Sequence, residues 1–229
     1  MRIGGLQKNS LIDFPGKVSC VIFSVGCNFR CPYCHNPQLV NNSSGTCSEM
    51  EILEFLEQRK GWLDGVVISG GEPTLHADIS SFCRKVKRMG FPVKLDTNGS
   101  NPVVLENLIS RGDLDYIAMD IKTDPVRYAP VIAETCDPES ILGSIRMIMN
   151  SPIPYEFKTT CVKPLVDESI MDIITGLIRG AGRYALQRFH GENVLNPDFF
   201  KNEGTAVGEE EFLKFKALAQ NRVKECIIR

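Results

Sequence analysis

Short apolar runs alternate with amphipathic segments along nearly the whole chain, and this alternation constrains the fold more than any other feature. Residues 18–24, 65–69, 93–96, 116–120, 156–160 and 183–189 read as strands. Between them, residues 48–60, 77–89, 102–111, 138–150 and 167–179 repeat apolar side chains at three and four spacing and read as helices. The helix at 48–60 has its own start signal, because Ser48 is followed three residues later by Glu51, a capping box ahead of Ile52, Leu53, Phe55 and Leu56. Strand-helix repetition of this kind builds a parallel sheet with helices outside, and such sheets carry ligands at the C-terminal ends of their strands.

Composition narrows the class. Hydrophobic residues make up 43% of the 229 and charged residues 24%, an ordinary globular mix that excludes disordered and coiled-coil architectures. A net charge of -2 gives no global field to attract nucleic acid or anionic lipid. No apolar run reaches the roughly 20 residues of a membrane span, and the N-terminal sequence lacks a secretory apolar core. The expectation is a cytoplasmic protein with neither membrane nor nucleic-acid partner. No linker or repeat interrupts the pattern, so residues 1–229 are expected to form one domain, its core at about 16–190, with a C-terminal helix at 209–220 and a last strand at 223–228 packed on the sheet edge. Residues 41–46 and 192–204, rich in Asn, Ser, Gly and Pro, are expected loops able to cover a site.

Nine cysteines are many for such a chain, and Cys27, Cys31 and Cys34 fall within one C-x3-C-x2-C stretch just after the first candidate strand. In a reducing compartment that clustering favours metal over disulfides. A structural zinc site wants four ligands, and His35 is badly placed to be the fourth. An iron-sulfur cubane held by three thiolates would keep one iron open to a small molecule. Cys20, Cys47, Cys83, Cys136, Cys161 and Cys226 have no ligand spacing and read as small buried apolar residues.

The C-x3-C-x2-C spacing with Tyr33 before the third cysteine resembles the radical S-adenosylmethionine superfamily. The longer run from Ser10 through Asp13, Pro15 and Gly16 to Pro37 resembles the glycyl-radical-enzyme activases, nearest to the anaerobic ribonucleoside-triphosphate reductase activating type. The resemblance implies an α/β radical SAM core, a partial (β/α)6 TIM-like barrel. It implies that Cys27, Cys31 and Cys34 are the catalytic ligands of a 4Fe-4S cluster. It also implies cofactor-binding roles for Tyr33, for Gly70, Gly71 and Glu72 of the Gly-Gly-Glu stretch, for Asp96 of Asp-Thr-Asn-Gly, for Asp120 and Lys122 of Asp-x-Lys, and for His190. The glycines suit that task because the absent Cβ lets a ligand reach the main chain. Asp96 and Asp120 are further implicated in a monovalent cation site.

The implied activity is reductive cleavage of S-adenosylmethionine to a 5'-deoxyadenosyl radical that abstracts hydrogen from a glycine of a glycyl radical enzyme, an anaerobic ribonucleotide reductase being the type expected. Flavodoxin or ferredoxin is the expected electron donor. Residues choosing the substrate are expected after Asp120, after His190 and in the first loop at 13–17. Two other readings stand beside this one: a radical enzyme acting on a small molecule or nucleoside, and a non-enzymatic cluster or zinc protein for electron transfer or scaffolding.

Overall fold

The computed structural model describes residues 1–41, 47–201 and 206–229. Strands β1 (Ile3–Ser10), β2 (Ser19–Ser24), β3 (Gly65–Gly70), β4 (Val93–Thr97), β5 (Tyr116–Asp120), β6 (Tyr155–Cys161), β7 (Tyr184–Arg188) and β8 (Cys226–Ile228) follow one another in sheet order as they do in sequence. The helices are α1 (Pro37–Val40), α2 (Glu49–Gln58), α3 (Ile79–Arg88), α4 (Pro102–Ser110), α5 (Pro138–Asn150), α6 (Glu168–Leu177) and α7 (Glu209–Gln220). The six expected units are β2 to β7, and β8 joins parallel to β7 as a shorter strand than expected. No helix among the described residues is long and apolar enough to cross a membrane.

The contacts divide the chain into two compact units. The first comprises Met1–Asn28, Gln38–Thr97 and Val103–Ile117, and the second Phe29–Pro37, Asn98–Pro102 and Ala118–Arg229. In the first, β2, β3 and β4 are parallel neighbours, and β1 runs antiparallel on β2. One face of these strands presents Cys20, Ile22, Val66, Ile68, Val93 and Leu95, all fully buried. Helices α2, α3 and α4 bury Ile52, Leu56, Phe82, Cys83, Val86, Leu105 and Leu108 in the same core. Burial on both faces is why these strands read as unbroken apolar runs. The other face carries Val21 and Val67 with Phe14 and Tyr116, and further along β4 it carries Lys94 and Asp96.

The capping box of α2 forms in full: the Glu51 N–H donates to Ser48 Oγ at 3.2 Å, and the Ser48 N–H to the Glu51 carboxylate at 2.7 Å. Asp137 and Asp167 cap α5 and α6 more simply, each side chain accepting one backbone N–H, from Glu139 at 3.0 Å and from Ile170 at 2.8 Å. In the second unit β6, β7 and β8 are parallel, and α5, α6 and α7 bury Ile145, Ile174, Phe212 and Phe215. Glu156, fully buried on β6, is held by both terminal nitrogens of Arg229 at 3.2 and 2.8 Å.

Two expectations change. Strand β1 was not foreseen, since Ile3–Ser10 reads Gly-Gly and then Gln-Lys-Asn, with neither alternation nor an apolar run. The 13–17 loop lies where the parallel strands begin, at the end opposite to the one expected for substrate selection. Ser10 pairs with Ser19, the Val18 N–H donates to Asp64 at 3.0 Å, and Phe14 packs at Gly65. Antiparallel β1 delivers the chain to that end, so Asp13 serves a local turn, accepting from Ser10 Oγ at 2.5 Å.

Phe82→Ala, at a buried position on α3, should cost about 3–5 kcal/mol in denaturant unfolding. Met50→Ala, at an exposed position on α2, should stay within about 0.5 kcal/mol.

Candidate functional site

The first unit brings the Gly-Gly-Glu stretch against the segment that leads into Cys27. The Gly71 N–H donates to the Ser24 carbonyl at 2.9 Å and the Glu72 N–H to the Gly26 carbonyl at 2.8 Å. Gly70 has φ +108°, and a Cβ there would meet Ser24 backbone N and O at 2.5 and 2.6 Å. A Cβ on Gly71 would overlap the Gly26 carbonyl. The glycines therefore permit backbone-to-backbone contact within the protein. These two N–H groups are consumed, so an amine, which donates, would find its partners here among carbonyl oxygens.

Glu72 is fully buried, and its Oε1 accepts from the Thr74 N–H at 3.0 Å, Thr74 Oγ1 at 2.5 Å and Thr97 Oγ1 at 2.8 Å. It fastens the loop after β3 to the end of β4. His76 Nε2 lies 3.0 Å from the Val25 carbonyl, two residues before Cys27. A carbonyl only accepts, so Nε2 carries the proton. Cys27 itself is half-buried. Asp96 receives the Lys94 ammonium on Oδ1 at 2.5 Å and the Ser69 hydroxyl on Oδ2 at 3.2 Å.

The second unit brings Cys31, Cys34, Tyr33, Asp120 and Lys122 together. The Cys34 N–H closes a turn onto the Cys31 carbonyl at 3.0 Å. Lys122 Nζ sits 3.1 Å from Asp120 and 5.9 Å from the centroid of the Tyr33 ring. The Lys122 backbone N–H donates to Tyr128 Oη at 2.8 Å, and Tyr128 packs edge-on to Phe29 at 5.6 Å. Burial pushes the Cys31 thiol up to about 11, opposed by the Lys122 ammonium. Burial alone would lower the Lys122 pKa, yet Asp120 above all holds it well above its ordinary value. Among the described residues the buried Tyr33 hydroxyl has no hydrogen-bond partner.

The segment before residue 202 lies along the cysteine turn. The Leu195 N–H donates to the Cys34 carbonyl at 2.9 Å and the Asn196 N–H to the Pro32 carbonyl at 3.0 Å. His35 Nδ1 is 3.3 Å from the Glu192 carbonyl. Of the two expected covering loops, positions 42–46 and 202–204 lie outside the described residues. His190 is exposed, two residues past β7. Among the six other cysteines Cys20, Cys83, Cys161 and Cys226 are buried as expected, whereas Cys47 and Cys136 are half-buried.

Among the described residues no three His, Cys, Asp or Glu side chains close on a single ion position. A cubane offers its irons at separate corners, so its thiolates need not meet around one point. The donor set fits such a group: buried Cys31 disfavours a bare thiolate, and the unpartnered Tyr33 hydroxyl stands in the same turn.

Residues 21–175 match the family model of the radical SAM superfamily, which is more than half of the chain. The chain belongs to that superfamily. It is an enzyme of the glycyl-radical-enzyme activating type, being 34% identical, over 99% of its length and 95% of the other's, to a Methanocaldococcus jannaschii protein named for that activity. It is also 35% identical to the pyruvate formate-lyase-activating enzyme of Clostridium pasteurianum, over 53% of this chain and 52% of that one. Streptococcus suis SuiB bound to S-adenosylmethionine superposes with a TM-score of 0.65 at 14% identity, over 91% of this chain and 49% of SuiB. That likeness shows the fold, the α/β core of a partial (β/α) barrel. The superfamily uses a 4Fe-4S cluster and S-adenosylmethionine.

Residues that organise the site carried little signal in sequence. Lys94, Thr97, His76 and Tyr128 belong to no metal or acid-base spacing, and only Lys94, two before Asp96 on a strand, could have been paired with its neighbour by period-2 reasoning.

Glu72→Ala should remove the buried acceptor that the Thr74 and Thr97 hydroxyls share and cost about 1–3 kcal/mol. Glu72→Gln, which keeps an acceptor oxygen, should recover most of that loss in thermal unfolding. His76 carries a pH dependence: burial first, with the N-terminal amine and Arg2, lowers its pKa from 6.5, against the Val25 carbonyl. The folded state then binds fewer protons than the unfolded chain, so His76's contribution is complete above 6.5 and falls as pH drops below it. His76→Asn should flatten the slope of stability between about pH 7 and 5; an unchanged slope would assign the dependence elsewhere.

Proposed function

We propose that Cys27, Cys31 and Cys34 hold the 4Fe-4S cluster of this enzyme and that the chain, as one domain with its core at about 16–190, installs a glycyl radical on a partner enzyme. The anaerobic ribonucleotide reductase type is the partner favoured. Flavodoxin or ferredoxin would supply the electron, in the cytoplasm. The observation that carries the reading is the likeness, along almost the whole of both chains, to a relative named for glycyl-radical enzyme activation.

When bound, the cluster and S-adenosylmethionine supply the electron and the sulfonium bond whose reductive cleavage yields methionine and a 5'-deoxyadenosyl radical. The chain's own residues bind, orient and exclude water. Burial pushes the Cys31 thiol up to about 11, so metal binding there would have to displace a proton. Tyr33 offers its unpartnered hydroxyl and the face of its ring. Lys122, fixed between Asp120 and that ring, provides a positive group for a carboxylate or ribose oxygen. The carbonyls of the Gly70–Gly71 turn are the acceptors for the methionine amine, with Glu72 holding their loop in place. Asp96 and His190 complete the proposed set. The chemistry the bound cofactor would supply is abstraction of hydrogen from a glycine Cα of the partner, which would leave deoxyadenosine and a carbon-centred radical there.

In the reduced, anaerobically reconstituted enzyme, addition of S-adenosylmethionine and the partner should give a stable protein radical by electron paramagnetic resonance, with deoxyadenosine formed in proportion. Cys27→Ala, Cys31→Ala and Cys34→Ala should each abolish both, whereas Cys83→Ala should retain them. A Cys31→Ala protein with a full cluster and normal deoxyadenosine production would refute the ligand assignment. Deoxyadenosine production stimulated by a nucleoside or metabolite, with no radical on any partner, would decide for a small-molecule substrate.

A further inference from the structure

The resemblance assigns Asp96 and Asp120 to a monovalent cation, and the charges around each carboxylate do not fit that ion. On β4, Lys94 and Asp96 are two residues apart, so a strand's period of two puts both side chains on one face. The Lys94 side chain is 2% exposed and its ammonium lies 2.5 Å from Asp96 Oδ1. It also stands 5.9 Å from the centroid of the Tyr116 ring, whose electron-rich face favours a cation. The second oxygen, Oδ2, accepts from Ser69 Oγ at 3.2 Å. In the other unit Asp120 has Lys122 Nζ at 3.1 Å. Each carboxylate thus has an ammonium of its own, anchored one strand position or one short turn away. A sodium or potassium ion arriving at Asp96 would meet an ammonium already on Oδ1, in surroundings where like charges repel far more strongly than in water.

We infer that Lys94 is a positioning residue, the built-in counter-ion of Asp96, and that it takes the place of a monovalent cation in this enzyme. The inference rests on the reading that Asp96 borders the S-adenosylmethionine site. It assigns Lys94 an action through Asp96, keeping that carboxylate oriented and charge-balanced without help from solution ions. Tethering makes the counter-ion independent of salt, because an ammonium on the same strand is present at high effective concentration whatever the medium.

Equilibrium dialysis of S-adenosylmethionine against the reconstituted holoenzyme tests this in potassium, sodium and tetramethylammonium chloride at one ionic strength, the last being too bulky to enter a carboxylate site. The native enzyme should bind equally in all three. Binding that falls about tenfold or more in tetramethylammonium, restored by potassium or sodium, would overturn the inference. Lys94→Met should behave in the opposite way, losing about tenfold in tetramethylammonium and recovering with a small cation. A loss that no cation repairs, or no loss at all, would equally deny Lys94 the counter-ion role. A second measurement needs no cofactor binding: potassium should raise the thermal midpoint of Lys94→Met above its value in tetramethylammonium and leave the native midpoint unmoved, and the reverse pattern would again overturn the inference. A native enzyme that binds no S-adenosylmethionine in any salt would count against the proposed function, and the thermal comparison would still judge Lys94.

Discussion

Two stretches of backbone, Ser24–Gly26 and Gly70–Gly71, lie against each other with no side chain between them, and the rest of the first unit's strand ends is arranged around that contact. Main chain can approach main chain this closely only where Cβ is absent, and Gly70 additionally occupies a φ that other residues seldom adopt. The consequence is positional. Because Gly71 and Glu72 donate to Ser24 and Gly26, the strand that leads into Cys27 and the loop that follows β3 cannot move independently. Glu72 extends the same coupling to Thr97 at the end of β4, and His76 extends it to Val25. Geometry for chemistry is thereby held by backbone and buried hydrogen bonds rather than by surface loops.

Burial turns the charges near these strand ends into oriented pairs. An isolated ammonium or carboxylate inside a protein costs several kcal/mol or changes protonation, and Lys94 and Lys122 are each found in the company of a carboxylate, Asp96 and Asp120. In the second unit the arrangement extends through Tyr33, Tyr128 and Phe29 to the cysteine turn, which the Leu195–Asn196 backbone also grips. Cys31, a thiol that burial makes reluctant to ionise, sits beside a fixed positive charge. That balance suits a ligand that must exchange its proton for metal.

Where the sequence reading departed from the structure, local signals were weak or had more than one physical meaning. Strand β1 has neither the alternation nor the apolar run of a strand, and its pairing with β2 is long-range, so nothing in Ile3–Ser10 announces it. Once β1 is present, the Asp13–Lys17 turn must fall where β2 begins, and its apparent place near the chemistry is lost. The Gly-Gly pair marks a place of close approach, and within the chain the groups that come close are Gly26 and Ser24. Composition at a position states that space is needed and leaves open what fills it.

The sequence by itself determined the repeat of strands and helices, the capped start of α2, the three cysteines within one eight-residue stretch after β2, and the carboxylates at strand ends, because periodicity, capping and spacing are properties of neighbouring residues. Family membership was legible for the same reason, the motif being contiguous. Only the tertiary structure decided that Glu72 is a clasp, that His76 holds Val25 and that the Leu195 segment lies on the cysteine turn. Those partners are separated by between two and some 160 positions along the chain. Hydrogen bonds and ion pairs are set by distance and burial after folding, and no local pattern encodes which distant carbonyl or carboxylate will be within reach.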